Sequence, residues 1–184
     1  MKTPLMLFEK DAVAVARELL GKIIVHGGCS GMIVETEAYT DDSASHAHKR
    51  TPRSEAMYST YGRWYVYFTY GMHYCMNITT NGDHSPGAVL IRALEPVAGI
   101  EVMKERRKTD NVLNLMSGPG KLCKALDADK RFNGESVHGV MHIIEGKTFS
   151  DGEVVMAPRI GILKARELLW RFYVKDSTFV SKRL

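Results

Sequence analysis

Two glutamates and a tyrosine share one short stretch of this chain, Val34-Glu35-Thr36-Glu37-Ala38-Tyr39, and His48 follows nine residues after Tyr39. Apart from its acids, the run from Met32 to Tyr39 is apolar and β-branched. That is strand composition, and the strand period of two sends Ile33, Glu35, Glu37 and Tyr39 to one face. Carboxylates this close repel unless water or cations intervene, so one of them can carry a raised pKa and act as general acid or base. The same acids can instead be solvated, or paired with Lys or Arg across the ladder. Spacing alone leaves both readings open.

The elements that must hold these residues are legible from pattern. Asp11 followed by Ala12, Val13, Val15, Ala16, Leu19 and Leu20 reads as a capped amphipathic helix, and Gly21 stops it. Lys22 to Val25 is a short strand, Gly27-Gly28 a turn, and Gly31 to Tyr39 the returning carboxylate strand. Residues 40–62 form a polar loop with room for one short helical turn. Two β-prone runs, Arg63 to Tyr70 and His73 to Thr80, flank Gly71-Met72 and predict a hairpin with Tyr70 and Met72 near its tip. Gly87 to Leu94 is a strand whose one charge is Arg92, and Glu95-Pro96 is expected to end it. A helix is predicted from Val97 to Lys108, and another follows Ser117-Gly118-Pro119-Gly120-Lys121, which is not a Walker motif. Val140 to Ile144, Pro158 to Ile162 and Arg171 to Lys175 read as further strands.

The chain has 184 residues, 45% of them hydrophobic, which fits one globular domain spanning 1–184. No stretch approaches the roughly 20 apolar residues of a membrane span. The first ten residues are too short an apolar run, and too soon charged, for a secretory signal, so the chain reads as soluble and intracellular. Cys29, Cys75 and Cys123 are odd in number and lack C-x-x-C spacing, which argues against a disulfide framework or structural zinc. The net charge of +4 arises in the second half of the chain. A pI near 8.9 permits attraction to a polyanion without requiring one.

The Trp64 to Asn77 hairpin is unusually aromatic. Alternation sends Trp64, Val66, Phe68 and Tyr70 one way and Tyr65, Tyr67 and Thr69 the other, so some rings must meet solvent or a flat, π-rich ligand such as a nucleobase. An aromatic at a hairpin tip can act as a wedge in a base step or be an ordinary surface tyrosine. Enzymes that work on a base within a duplex must extrude it and hold it between rings while a placed acid or base assists bond cleavage. Two rival readings use the same residues. One is a metal-dependent hydrolase built on Glu35, Glu37, Asp41, Asp42, His46 and His48; the other is a non-catalytic nucleic-acid-binding module in which the acids are incidental. A zinc deaminase is excluded because no P-C-x-x-C follows an H-x-E.

Several separated segments, taken in order, resemble the alkyladenine (3-methyladenine) DNA glycosylases. They are Val34-Glu35-Thr36-Glu37-Ala38-Tyr39, Ala47-His48, Thr51-Pro52-Arg53, Tyr70-Gly71-Met72, Cys75-Met76-Asn77, Leu90 to Pro96 and Ser117-Gly118-Pro119. The resemblance implies an α+β fold: a curved, mostly antiparallel sheet surrounded by helices, with a protruding hairpin that inserts into DNA. It also implies a monofunctional enzyme without lyase activity, which flips alkylated or deaminated purines from double-stranded DNA and hydrolyses the N-glycosidic bond. No cofactor or metal, no membrane and no obligate protein partner are implied; a monomer acting where the DNA is, in cytoplasm and nucleoid or in a nucleus, is expected.

By motif, Glu37 becomes the general base, and Arg92 helps hold the water and a nearby phosphate. Tyr39, His48 and Tyr67 enclose the base, Asn77 collides with the 2-amino group of undamaged guanine, and the backbone of Ile160 lines the same end of the pocket. Leu90 borders the site, and Tyr70, flanked by Met72, fills the gap in the duplex. Lys49 and His73 depart from the family pattern beside these motifs, which puts contacts near the phosphate in question.

Overall fold

A computed structural model of the chain describes residues 1–80 and 85–182. Its elements are α1 (Ala12–Glu18), β1 (Ile23–His26), β2 (Cys29–Tyr39), α2 (Glu55–Ser59), β3 (Trp64–Thr69), β4 (His73–Thr80), β5 (Gly87–Ala98), α3 (Ile100–Arg107), α4 (Pro119–Leu126), β6 (His142–Ile144), β7 (Val154–Ala157) and β8 (Arg171–Val174). Among the described residues the eight strands make one open antiparallel sheet, in the order β3-β4-β5-β2-β1-β6. β8 pairs with the part of β2 that β1 leaves free, and β7 lies beyond β8. This is the α+β architecture expected, and no helix among the described residues is long and apolar enough to cross a membrane.

Residues on β2 therefore have neighbours on both sides, β5 along nearly the whole strand and β1 or β8 on the other edge. One face of the sheet packs on α1, α3 and α4 through Val15, Leu19, Met103, Leu122 and Leu126, with Ile33, Trp64, Met76, Ile91 and Leu94 from the strands. The other face carries a smaller apolar cluster, Ala47, Met57, Tyr65 and Ala88, under the segment that follows β2. The alternation read for β3 holds: Trp64 and Val66 enter the main core, while Tyr65 and Tyr67 join the opposite cluster.

Four expectations are corrected. Ile33 does not share the face of Glu35 and Glu37; it packs in the main core, as Ala38 does. Ladder irregularities at Ile33/Glu35 and Glu35/Thr36 slip the pleat once, so residues on either side no longer follow one alternation. β5 runs past Pro96 to Ala98. Leu94 N–H donates to Met116 O, away from β2, so Pro96, two residues on, turns its missing donor to that same side and the ladder loses nothing. Helix α3 consequently starts at Ile100, after Gly99 at φ 76°, where a Cβ would lie 2.7 Å from Gly28 O. Finally, the second of the later strands is Val154–Ala157, and residues 158–162 are irregular.

The polar loop holds a 3₁₀ turn, His46–His48, and then α2. Asp11 caps α1 as read, accepting from Val13 and Ala14 N–H. At the other end of α1 the orphan carbonyl of Ala16 accepts the Thr36 hydroxyl at 2.7 Å, which pins β2 to the helix. Thr36→Val keeps the shape and removes that donor. Urea denaturation should show a loss of about 1–3 kcal/mol with the m-value unchanged; wild-type stability would contradict the anchoring role.

Candidate active site

The acids of β2 sit in a line of alternating charge. Glu37 is fully buried, and its Oε2 accepts the Tyr39 hydroxyl at 2.9 Å and Arg92 Nη1 at 3.1 Å. Its Oε1 accepts the backbone N–H of Ile160 at 2.6 Å. Glu35, also fully buried, accepts Arg171 Nε at 2.7 Å, and Arg92 Nε stands 3.6 Å from the same oxygen. Arg92 on β5 and Arg171 on β8 are brought to the acids because both strands pair with the middle of β2. Burial pushes the Glu37 carboxyl above the ordinary glutamate range, while the charge of Arg92, the Ile160 amide and the Tyr39 hydroxyl pull against it. Burial and the Glu37 charge drive the Tyr39 phenol well up, so it remains a proton donor.

Next to this line opens a cavity of about 350 Å³, within the range of small-molecule sites. Tyr39, Tyr65, Tyr67 and His46 form its aromatic walls, with Tyr70 from the hairpin tip; Asn77 and Leu90 line it beside Arg92, Ile160 and Pro119. Glu37 lies just behind this lining, held by three of its members. Asn77 is fixed by donating Nδ2–H to the Tyr65 carbonyl at 3.0 Å.

Of the residues singled out from sequence, Tyr39, Tyr67, Asn77, Arg92, Ile160, Leu90 and Tyr70 line the cavity, with Glu37 behind them. His48 and Met72 do not. His48 turns outward, its Nδ1 3.4 Å from Asp41 O, and His46 takes the inward position. The Ser45 hydroxyl accepts Ala47 N–H and starts the 3₁₀ turn; the His46 ring meets Tyr67 at 4.8 Å and its Nδ1 lies 3.0 Å from the Tyr65 hydroxyl. Partial burial and then the charge of Arg53 lower the His46 pKa, which favours a neutral ring. The His46-Ala47-His48 spacing was visible in the sequence; which imidazole faces inward is set by this turn. Met72 is exposed beside Tyr70 and borders a second, smaller depression with His73 and Gly120.

Arg159 went unnoticed in the sequence. It is buried, forks onto Asp42 at 2.7 and 3.0 Å, donates to Ala38 O at 3.0 Å, and lies over the rings of Tyr39 and Trp170. It thereby ties the segment carrying Ile160 to the end of β2. The only signal was its place beside Ile160. The residues a metal hydrolase would need are dispersed among such partners, and no cluster of three or more His, Cys, Asp or Glu converges among the described residues.

Comparison with known proteins bears on this arrangement directly. The model of a family described as methylpurine-DNA glycosylase matches residues 6–178. The chain belongs to that family. A protein of Prosthecochloris aestuarii named "Putative 3-methyladenine DNA glycosylase" is 49% identical over 95% of this chain and 88% of its own length. Proteins of the same name from Desulfitobacterium hafniense and Methanoculleus marisnigri are 44% and 41% identical, the first over 95% of both chains and the second over the whole of both. Family membership makes the chain a DNA glycosylase for alkylated bases, and DNA its substrate.

Burial pushes the Asp42 carboxyl up, but the fork of Arg159 and the Ala44 amide outweigh it, so the group titrates below the ordinary aspartate range. A depressed folded-state pKa adds stability that is complete above the unfolded value, about 3.9, and is lost as pH falls through the folded one. Asp42→Asn should therefore cost about 2 kcal/mol at neutral pH, less than a fully enclosed pair because Asp42 keeps some solvent contact. The gap to wild type should narrow on acidification below about pH 4, as read by denaturation at several pH values. A gap constant with pH would contradict the pairing.

Proposed function

We propose that this DNA glycosylase turns an alkylated or deaminated purine out of duplex DNA into the aromatic cavity and hydrolyses its N-glycosidic bond, with Glu37 as general base. The observation that carries this reading is an enclosed glutamate whose three hydrogen-bond donors all come from the lining of the ring-walled cavity in front of it. A carboxylate offers about four lone-pair positions. Tyr39, Arg92 and Ile160 occupy three, which leaves one to orient a water. Water then adds through oxygen to C1′ of the sugar, its proton passes to Glu37, and the C1′–N bond breaks with its electron pair leaving on the base. The negative charge also favours the oxocarbenium-like sugar on the way.

Tyr39, Tyr67 and His46 enclose the base, with His46 in the part the sequence assigned to His48. Asn77, fixed by the Tyr65 carbonyl at the cavity wall, collides with the 2-amino group of undamaged guanine, so part of the selection is rejection of the wrong base. Tyr70, 84% exposed at the hairpin tip, fills the gap left in the duplex, flanked by Met72. A lyase step needs an amine to form a Schiff base; among the described residues that line the cavity there is no lysine, which supports a purely hydrolytic enzyme.

Glu37→Gln should bind a hypoxanthine- or ethenoadenine-containing duplex like wild type and lose at least about 10²-fold in single-turnover cleavage, scored by alkali scission of the abasic product. In the wild type the rate should fall as pH drops through a Glu37 pKa above the ordinary 4.3 or so. Wild-type rates in the variant would sink the assignment. Tyr70→Ala should weaken flipping, seen as a smaller 2-aminopurine fluorescence rise next to the lesion and a slower reaction, because unstacking costs a few kcal/mol that the wedge partly offsets. Unchanged fluorescence and rate would count against the wedge.

A further inference from the structure

Glu35 is as buried as Glu37 and, like it, is not among the residues that line the cavity, and the hydrolytic steps above make no use of it. Its own shell is complete without Arg92. Oε1 accepts Arg171 Nε at 2.7 Å and the Ser181 hydroxyl at 3.0 Å, and Oε2 accepts the Ser181 backbone N–H at 2.6 Å. Arg171 Nη2 also donates to Lys182 O, so strand β8 and the segment after Val180 close on this carboxylate together. Arg92 Nε, 3.6 Å away, makes no hydrogen bond, while Nη1 of the same guanidinium is committed to Glu37. Glu35 thus attracts Arg92 by charge from one side without capturing it by a hydrogen bond.

We infer that Glu35 is a positioning residue which, with its oxygens occupied by Arg171 and Ser181, holds the Arg92 guanidinium between two carboxylates and sets the pH at which Glu37 becomes a competent base. The inference rests on the reading of Glu37 as that base. The groups facing Glu37 from the surrounding elements are Glu35 and Tyr39 on β2, Arg92 on β5, Cys75 on β4, Arg171 opposite it on β8, and Arg159 beside Ile160. The charges of Arg92 and Glu35 act on Glu37 in opposite senses. Removing the Glu35 charge leaves Arg92 wholly to Glu37 and stabilises the ionised base. Loosening the hold of Ser181 on Glu35 frees that carboxylate to draw Arg92 away, with the opposite result.

Two variants therefore move one readout in opposite directions. In Glu35→Gln the acid limb of the single-turnover rate on a hypoxanthine duplex should shift to lower pH by about one unit, a tenfold change in ionised fraction on that limb. In Ser181→Ala it should shift upward by a smaller amount. The ¹³C carboxyl resonance of Glu37, identified by its disappearance in Glu37→Gln, should follow both shifts without reference to catalysis. Limbs and resonance titrations that stay at the wild-type pH in the folded variants would overturn the inference, since a residue that merely supports the fold changes stability and leaves both unmoved. Should Glu35→Gln fail to fold, Ser181→Ala decides by itself. If instead the resonance shifts as described while Glu37→Gln still cleaves, the base assignment falls and the positioning role stands.

Discussion

Keeping one negative charge out of bulk water without neutralising it is the constraint to which the rest of this molecule answers. An ionised carboxylate taken into the interior loses several kcal/mol of hydration unless cations and donors replace the water. Glu37 is supplied by Arg92, Tyr39 and the Ile160 amide; Arg92 is balanced in turn by Glu35, and Glu35 by Arg171. The four charges alternate in sign along a buried line and sum to zero. Removing one partner of such a set typically costs about 3–5 kcal/mol, because the charge left behind is buried and unpaired. A network of this kind is costly to assemble.

The sheet is built to deliver those charges. β2 is paired on both edges, so arginines from β5 and β8 reach its acids from opposite sides. Pairing is irregular where Glu35 lies opposite the Arg92 region, and that slip in the pleat lets Ile33 and Ala38 pack in one core while the acids between them turn to the other face. Packing on α1 and α4 fills one side of the sheet with aliphatic and sulfur-containing side chains. The second side is left for rings and polar groups, and there the cavity opens.

Around this rigid centre, irregular backbone supplies what strands cannot. Ile160 can point its N–H at Glu37 because residues 158–162 leave the ladder. At the hairpin tip Tyr70 and Gly71 both have positive φ, 53° and 66°, and Met72 N–H closes the turn onto Thr69 O. The primed turn matches the twist of its strands, but it places a tyrosine in a conformation that costs a side-chain-bearing residue about 1–2 kcal/mol. The strain buys an exposed ring held clear of the sheet, at a place where backbone strain is often functional.

Local elements were legible because their causes are local. The Asp11 cap, the hairpin around Tyr70-Gly71 and the alternation of β3 each depend on residues a few positions apart, and all appear as read, while α1 ends at Glu18, ahead of the glycine expected to stop it. The ordered motifs were enough to indicate the family, and they carried Glu37, Tyr39, Tyr67, Asn77 and Arg92 to one site. Tertiary structure alone decided the rest. Pro96 stays in a strand because its nitrogen faces an unpaired edge, His46 rather than His48 turns inward because a 3₁₀ turn rotates that segment, and Arg159, Arg171 and Ser181 join the acids from more than 100 positions away. Periodicity tells which residues of one segment share a face. Which segments lie side by side, and where the pleat slips, follows from packing the whole sheet on its helices, and no local pattern contains that.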